Sequence, residues 1–201
     1  RDRFILSKGH AAIALYAILA DLGYFDKKEL KLFNNGGMLG EHPDINIPGI
    51  EVNSGSLGHG LGIGSGMALA AKIDVKKYKT FVLLGDGECN EGTIWESLLL
   101  ASHHKLNNLI CIVDKNKSTD RALKIDNLKK KFQSFNWDCF VINGHNKTKL
   151  LTSIKKQKKR PLAIIANTIK GKGVPFMENN PEWHHKKIDK NTIEEFIKII
   201  K

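Results

Sequence analysis

Cysteine, low-complexity sequence and long apolar runs are scarce or missing in this 201-residue chain. The three cysteines, Cys89, Cys111 and Cys139, are odd in number and contain no C-x-x-C pair, which favours a reducing compartment over a disulfide framework. No apolar run approaches the roughly 20 residues of a membrane-spanning helix, and the first four residues are not a secretory signal. No composition shift divides the chain. We therefore expect a single domain over residues 1–201, cytoplasmic and not bound to a membrane.

Acidic residues are too few to balance the basic ones. There are 32 Lys and Arg against 21 Asp and Glu, which gives a formal net charge of +11. A charge of this size raises the question of nucleic-acid binding. The lysine-rich stretches at 129–131 and 155–160, however, lack the alternating aromatic residues that would stack on bases. We interpret them as solvated helix ends and expect no nucleic-acid partner.

Two short apolar runs indicate buried strands that end on polar residues. The first covers 80–84 and stops at Asp86, which lies between two glycines; the second covers 109–113 and stops at Asp114-Lys115-Asn116. Residues 93–106 between them carry the apolar stripe of a helix. A right-handed crossover makes the two strands parallel, so their polar ends share one edge of the sheet. The pattern predicts an α/β fold, a mostly parallel sheet with helices on both faces.

The residues after the two strands suit a metal ion and an anion. The carboxylate of Asp86 and the side-chain carbonyl of Asn116 are oxygen ligands that Mg²⁺ accepts, and Ca²⁺ or Mn²⁺ can take its place. The glycines beside Asp86 let backbone approach a bulky anion closely. An isolated Gly-Asp-Gly is more often a simple turn. Here it is followed at a fixed distance by Asn116, and the two together predict a metal site at the sheet edge.

The spacing from Asp86 to Asn116 resembles the thiamine diphosphate signature. Residues 85–96, Gly-Asp-Gly-Glu-Cys-Asn-Glu-Gly-Thr-Ile-Trp-Glu, are similar to the form of that signature found in transketolases. Ordered motifs at 2–11, 40–43, 54–62 and 176–184 extend the resemblance over nearly the whole chain. The sequence departs from the family pattern at Lys115, where an asparagine is common, and at Glu41, where glycine is usual. The segment 117–131 is several residues shorter than its counterpart.

The resemblance implies a role for each of twelve residues. It implies that thiamine diphosphate is the cofactor and that a metal ion anchors its diphosphate, with the backbone carbonyl of Ser118 completing the metal site. It places two histidines on the side of a sugar phosphate substrate and two glutamates at an inter-domain contact. The cofactor-binding residues are His10, Gly55, Leu57, Asp86, Gly87, Asn116 and Lys170, the metal ligands Asp86, Asn116 and Ser118, and the catalytic group His42, His184, Glu91 and Glu96.

The function that this resemblance implies is that of the N-terminal subunit of a split transketolase. Such an enzyme transfers a two-carbon ketol unit from a ketose phosphate to an aldose acceptor. The glutamate that activates the cofactor belongs to a pyrimidine-binding domain, so we expect a C-terminal partner subunit. We expect the assembly to be a homodimer or a heterotetramer. Close carboxylates at 91 and 96 would share protons across that contact.

Two alternatives remain at this point. The chain could be half of another thiamine diphosphate enzyme, of the 2-oxo acid dehydrogenase or deoxyxylulose-phosphate synthase type, although the histidines and the stretch at 171–180 argue against it. It could also be a non-catalytic domain that keeps the fold. An inactive relative would have no reason to keep His10, His42, Asp86, Glu91 and Asn116 together.

The remaining elements follow from local patterns. We expect Ser7 to cap a helix that ends at Gly23, irregular chain from 34 to 54, and a small-residue helix that ends near Ile73. Other predicted elements are a short helix at 26–33, strands at 139–142 and 162–167, an amphipathic helix at 150–159 and a terminal helix from Asp189.

Overall fold

A parallel sheet of five strands organises the part of the chain that the structure describes. This structure is a computed structural model, and it describes residues 1–156, 159–184, 186 and 189–200. The strands are β1 (Arg3–Leu6), β2 (Thr80–Gly85), β3 (Leu109–Lys115), β4 (Asp138–Asn143) and β5 (Leu162–Asn167). They pair in the order β1-β2-β3-β5-β4, and every pair is parallel. The predicted α/β fold with a mostly parallel sheet is confirmed.

Six α-helices appear in the described residues. They are α1 (Ala12–Asp21), α2 (His59–Ile73), α3 (Gly92–His103), α4 (Leu128–Ser134), α5 (Lys147–Ile154) and α6 (Lys190–Ile200). Side chains of α2, α3 and α4 pack with Val82, Cys111 and Ile165 in the largest apolar cluster. Side chains of α5 pack with Ile110 and Ile164 in another. Because alternate strand residues face opposite sides, these two clusters lie on the two faces of the sheet. None of the helices in this part of the chain is long and apolar enough to cross a membrane.

Several local predictions need correction. The sequence patterns did not indicate β1, an edge strand of only four residues. Ser7 does not cap a helix: a 3-10 turn at Gly9–Ala11 precedes α1, and the Ser7 hydroxyl donates to Glu88 instead. The helix predicted at 150–159 begins and ends earlier, as α5, and positions 157 and 158 lie outside the described residues. The helix at 26–33 is a 3-10 helix, Lys27–Leu32.

Glycines on α2 allow its backbone to lie directly on the sheet. A Cβ at Gly60 would lie 2.3 Å from Ser7 Oγ, and one at Gly64 would lie 2.5 Å from Val82 Cγ2. Both distances are shorter than any stable contact between heavy atoms of this kind, so only glycine fits. The predicted small-residue helix is therefore a close-packing element that holds the start of the site against β1 and β2.

We expect Gly64→Ala to destabilise the chain by about 1–3 kcal/mol, because the new methyl group overlaps Val82. Gly66→Ala on the same helix is the matched control, since a Cβ there meets no atom within 4 Å. Gly66→Ala should instead stabilise by about 0.4–1 kcal/mol through helix propensity. Urea unfolding of the two variants measures the difference. Equal effects would show that close packing of α2 is not the constraint.

Candidate functional site

A cavity of about 680 Å³ opens at the carboxyl edge of the sheet. Its floor comes from the ends of β2, β3 and β5, and its walls come from the chain after β1 and from the loop that follows β5. In parallel α/β sheets, ligands bind at this edge. Eight of the twelve predicted site residues line it: His10, Leu57, Asp86, Gly87, Asn116, Ser118, Lys170 and His184.

Asp86 follows β2 directly and is 7% exposed. Its Oδ1 accepts a hydrogen bond from the Gly87 N–H at 2.9 Å, and its Oδ2 accepts one from the Lys117 N–H at 2.6 Å. Burial raises the pKa of Asp86, these two hydrogen bonds lower it, and the nearby charge of Asp114 raises it further; the net shift is upward. Among the described residues no cation pairs with this carboxylate. A bound cation would therefore stabilise its ionised form.

Asn116 follows β3 and lines the same cavity. Its Oδ1 accepts from the backbone N–H of Ser118 at 2.9 Å and from the Ser118 hydroxyl at 2.5 Å. Its Nδ2 donates to Asp114 Oδ2 at 3.2 Å. The two predicted metal ligands thus reach one cavity from neighbouring strands, because Gly85 pairs with Asp114 across β2 and β3.

A partly buried ion pair lies beside Asn116. Lys8 Nζ is 2.5 Å from Asp114 Oδ2, and the Thr168 hydroxyl donates to Asp114 Oδ1. Burial alone would raise the pKa of Asp114, but the charge of Lys8 and the hydrogen bonds from Lys8, Thr168 and Asn116 outweigh it and lower the pKa. The sequence reasoning assigned no role to Lys8, Asp114 or Thr168. For Asp114 and Thr168 the available signal was their position at the end of, or just past, an apolar strand. Lys8 follows β1, which gave no such signal.

Glu88 is a second buried acidic residue that the sequence reasoning missed. It is 2% exposed and accepts from three groups: the Ser7 hydroxyl, the Gly58 N–H at 2.9 Å and the Gly85 N–H at 3.2 Å. These donors belong to the ends of β1 and β2 and to the residue before α2. Glu88 therefore ties three segments around the cavity together, and its signal was its place within the Gly-Asp-Gly-Glu stretch.

The opposite wall of the cavity is basic. Lys170 Nζ lies 2.8 Å from His184 Nδ1, and the rings of His10 and His184 are 5.8 Å apart between centroids. Partial burial, followed by the charges of Lys8, His184, Lys170 and His42, lowers the pKa of His10 to about 4. Burial and the charge of Lys8 also lower the pKa of Lys170. An anion placed here would relieve this crowding of positive charge.

The loop that carries Lys170 and His184 is held by aromatic contacts with the last helix. Phe176 and Phe196 stack with centroids 5.2 Å apart and ring planes 9° from parallel. Trp183 packs on both rings, at 5.4 and 5.9 Å, and Lys186 Nζ lies 4.3 Å from the Trp183 centroid. Because Trp183 precedes His184, these contacts anchor the basic wall to α6.

Four predicted residues do not line the cavity. His42 is exposed and lies against Gly55, where an added Cβ would be 3.1 Å from the His42 ring. The carbonyl of His42 accepts from the Tyr16 hydroxyl at 2.8 Å, and the charge of His42 is among those that lower the pKa of His10. Glu91 and Glu96 are exposed at the start of α3, away from the cavity.

The geometry of the cavity indicates what kind of ligand it can bind. A carboxylate and an amide oxygen can hold a hard cation at the edge of a parallel sheet, and a basic wall across the cavity can hold an anion. Such a pairing is suited to a ligand that carries phosphates, and it makes the chain a cofactor-binding α/β domain. A cation on one side of the cavity and an anion on the other would neutralise one another.

Comparisons with known proteins agree with this class. Residues 1–200 match the family described as "Transketolase, thiamine diphosphate binding domain". One of the subunits of the apulose-4-phosphate transketolase of Phocaeicola vulgatus is 41% identical over 194 residues, which cover 92% of this chain and 69% of that protein. Human transketolase is 40% identical over 99% of this chain but only 33% of its own length. The chain belongs to the transketolase family, and it is an N-terminal section with the thiamine diphosphate-binding domain.

Solved structures of transketolases have the same fold as this chain. A transketolase from Campylobacter jejuni superposes with a TM-score of 0.88 at 32% identity, covering 97% of this chain and 33% of that one. A Pichia stipitis transketolase variant in complex with fructose 6-phosphate has the same TM-score at 30% identity, covering 99% of this chain and 33% of its own. This chain therefore spans about a third of the full-length transketolases that it matches.

We expect the His10 ring to titrate near pH 4 in the folded chain, against 6.5 for an ordinary histidine. Acid should therefore favour the unfolded chain, which binds the proton first, as the pH falls from about 6.5 towards 4. Two-dimensional NMR of the histidine ring protons follows this titration. Lys170→Gln should move the midpoint upward, because it removes one of the positive charges. A midpoint near 6.5 in the unmodified chain would contradict the basic-wall description.

Proposed function

We propose that this chain is the cofactor-anchoring subunit of a two-subunit transketolase. With a pyrimidine-binding partner it transfers a two-carbon ketol unit from a ketose phosphate to an aldose acceptor. The observation that carries the proposal is the cavity in which Asp86 and Asn116 face His10, Lys170 and His184. Two relatives that are each named as one subunit of an apulose-4-phosphate transketolase support the division, since this chain's match spans 69% and 71% of their lengths.

The residues present fit a hard cation. Asp86 is a buried carboxylate with an upward-shifted pKa, and the amide oxygen of Asn116 is a neutral ligand on the next strand. We propose that these two oxygens and the backbone carbonyl of Ser118 hold Mg²⁺, for which Ca²⁺ or Mn²⁺ can substitute. One charged and two neutral protein oxygens leave coordination positions for phosphate oxygens and water.

The residues across the cavity fit a diphosphate. His10, held neutral by its lowered pKa of about 4, and Lys170 would contact the phosphate oxygens, with Gly87 beside them. Gly87 is needed because a Cβ there would lie 2.3 Å from Thr119 Cγ2 on the loop that closes this end of the cavity. Leu57 on the wall and Gly55 behind it would contact the rest of the cofactor. When bound, thiamine diphosphate supplies the nucleophilic carbon for the cleavage and formation of sugar carbon–carbon bonds.

Two histidines near the cavity are candidates for contact with the sugar. His184 lines the cavity beside His10, and His42 lies just outside it against Gly55. We assign both to the substrate side, where they hydrogen-bond sugar hydroxyls or exchange protons with them. The Tyr16 hydroxyl donates to the backbone carbonyl of His42 and so limits the movement of the backbone that carries the His42 ring.

The surface outside the cavity suits a partner subunit. Glu91 and Glu96 are exposed at the start of α3, where an adjoining domain would meet them. Large apolar side chains are also exposed on three helices: Ile13, Ile18 and Leu22 on or after α1, Ile63 on α2, and Leu99 and Leu100 on α3. We assign these side chains to contacts between subunits. We propose that the partner is a C-terminal pyrimidine-binding subunit, in a heterotetramer with two copies of each subunit.

Mg²⁺ and thiamine diphosphate should bind interdependently, because the metal would bridge Asp86 to the diphosphate. Calorimetry in the presence of the partner subunit should show that Asp86→Ala weakens cofactor binding by more than the roughly 10–100-fold that loss of an outer-shell group costs. Asp21→Ala is the control: Asp21 is 71% exposed and pairs only with Lys27 among the described residues, so cofactor affinity should not change. Equal affinity in the Asp86→Ala variant and the unmodified chain would remove the metal assignment.

We expect the chain alone to show no ketol transfer, and the added partner subunit to restore it. The reason is that the cavity presents groups for the diphosphate end of the cofactor, while the aminopyrimidine end needs a carboxylate that we assign to the partner. The assay uses saturating Mg²⁺ and thiamine diphosphate, with fructose 6-phosphate and apulose 4-phosphate as alternative donors. Robust turnover by the purified chain without a partner would overturn the proposed division into two subunits.

A further inference from the structure

We propose that Asp114 is a positioning residue for Asn116: its carboxylate fixes the side-chain amide so that Oδ1, and not Nδ2, is offered to the metal ion. This inference rests on the proposed function of the cavity. It concerns a residue that is neither a metal ligand nor a cofactor contact in that proposal. The observation behind it is the hydrogen bond from Asn116 Nδ2 to Asp114 Oδ2 at 3.2 Å.

A carboxamide has two ends of nearly the same shape and opposite hydrogen-bonding character. In Asn116, the Nδ2 end meets an acceptor, Asp114, and the Oδ1 end meets two donors, the N–H and the hydroxyl of Ser118. A reversed amide would place oxygen against the carboxylate and N–H groups against the Ser118 N–H. Both contacts would then be repulsive. Because an amide oxygen has two lone pairs, one of the Ser118 donors must leave Oδ1 when a metal ion binds there. The contact between Nδ2 and Asp114 can persist, and so it is Asp114 that keeps Oδ1 as the ligand atom.

Asp114 is itself held in place by three strands. It lies on β3. Its Oδ2 pairs with Lys8 Nζ, which follows β1, at 2.5 Å, and its Oδ1 accepts a hydrogen bond from the hydroxyl of Thr168, which follows β5. The Lys8 side chain is 9% exposed and that of Asp114 is 23% exposed, so the pair is partly removed from water. A carboxylate with both oxygens engaged in this way cannot turn towards the cavity. Because Asp114 is fixed, the Asn116 amide that donates to it is also held in one orientation.

The ion pair also explains why a carboxylate can lie so close to a diphosphate site. An unpaired Asp114 would repel the diphosphate and would compete with Asp86 for the cation. Lys8 cancels that charge locally. Asp114 is therefore free to act only as a hydrogen-bond acceptor for Asn116.

Two double variants separate this role from general stability. Lys8→Met/Asp114→Asn and Lys8→Met/Asp114→Leu both remove the ion pair without leaving an unpaired charge, a replacement that folds tolerate well. Only the first keeps an oxygen facing Asn116 Nδ2. With saturating thiamine diphosphate and the partner subunit present, calorimetry should give a Mg²⁺ affinity about 10–100-fold lower for the Leu variant than for the Asn variant, the usual cost of losing an outer-shell partner.

Asn116→Asp gives a second comparison, made both in the otherwise unmodified chain and in the Lys8→Met/Asp114→Asn background. It adds a ligand charge, which favours Mg²⁺, and it replaces the donor Nδ2 with an acceptor against Asp114, which opposes Mg²⁺ binding. In the double-variant background the amide at position 114 can turn and donate, so Asn116→Asp should change Mg²⁺ affinity more favourably there than in the otherwise unmodified chain. Thermal unfolding of every variant confirms that the chain is folded under assay conditions.

The outcomes separate the two proposals. If the unmodified chain binds Mg²⁺ with the cofactor, but the Leu and Asn double variants have equal affinities, or Asn116→Asp changes the affinity equally in both backgrounds, the positioning role of Asp114 is wrong and the proposed function stands. If the unmodified chain shows no Mg²⁺-dependent cofactor binding, the proposed function fails and this inference fails with it.

Discussion

Parallel pairing in register is the constraint on which the site depends. Gly85 on β2 pairs with Asp114 on β3, and Lys115 on β3 pairs with Asn167 on β5. Strands aligned in this way end together, so the residues that follow them reach one cavity without long connections. A slip of one residue in either pair would turn the strand side chains to the opposite face and would separate Asp86 from Asn116.

The cavity contains one ion pair, and three ionisable groups on its walls, Asp86, His10 and Lys170, form no salt bridge with the described side chains. Lys8 and Asp114 neutralise each other in the floor. Asp86 on one wall has a raised pKa, and His10 and Lys170 on the other have lowered pKa values, so each wall carries charge that its surroundings do not stabilise. A cation bound beside Asp86 and an anion bound beside His10 and Lys170 would stabilise the charged forms of the groups on both walls. Binding of such a pair to the folded chain alone would also stabilise the fold by mass action.

The sequence was sufficient for the parts of the fold with strong local signals. Continuous apolar runs identified β2, β3 and β5, because strands buried on both faces carry apolar residues without interruption. Edge strand β1 has only four residues, two of them partly or fully exposed, and so it gave no such signal. Ser7 was misassigned as a cap because a serine before a helix usually is one, while its partner Glu88 is 81 residues away.

The site was predictable where a motif is contiguous, and not where a contact joins distant segments. Asp86, Gly87 and Asn116 follow strands directly, and eight of the twelve residues suggested by motif or resemblance line the cavity. The partners Lys8 and Asp114 are 106 residues apart. A lysine is rarely buried, so the sequence favours a solvated side chain there. Only the order of the strands in the sheet brings this lysine and this aspartate together.

The aromatic contacts between Phe176, Trp183 and Phe196 link the site to the last helix that the structure describes. Lys170 and His184 lie on the loop that these rings hold, so the basic wall depends on α6 although α6 contributes no residue to it. The natural indole of Trp183 is next to His184 in sequence, and its emission is sensitive to the packing of that loop. The chain has two further tryptophans, Trp95 and Trp137, so the difference in emission between the unmodified chain and a Trp183→Phe variant reports whether the basic wall is in place, with no label required.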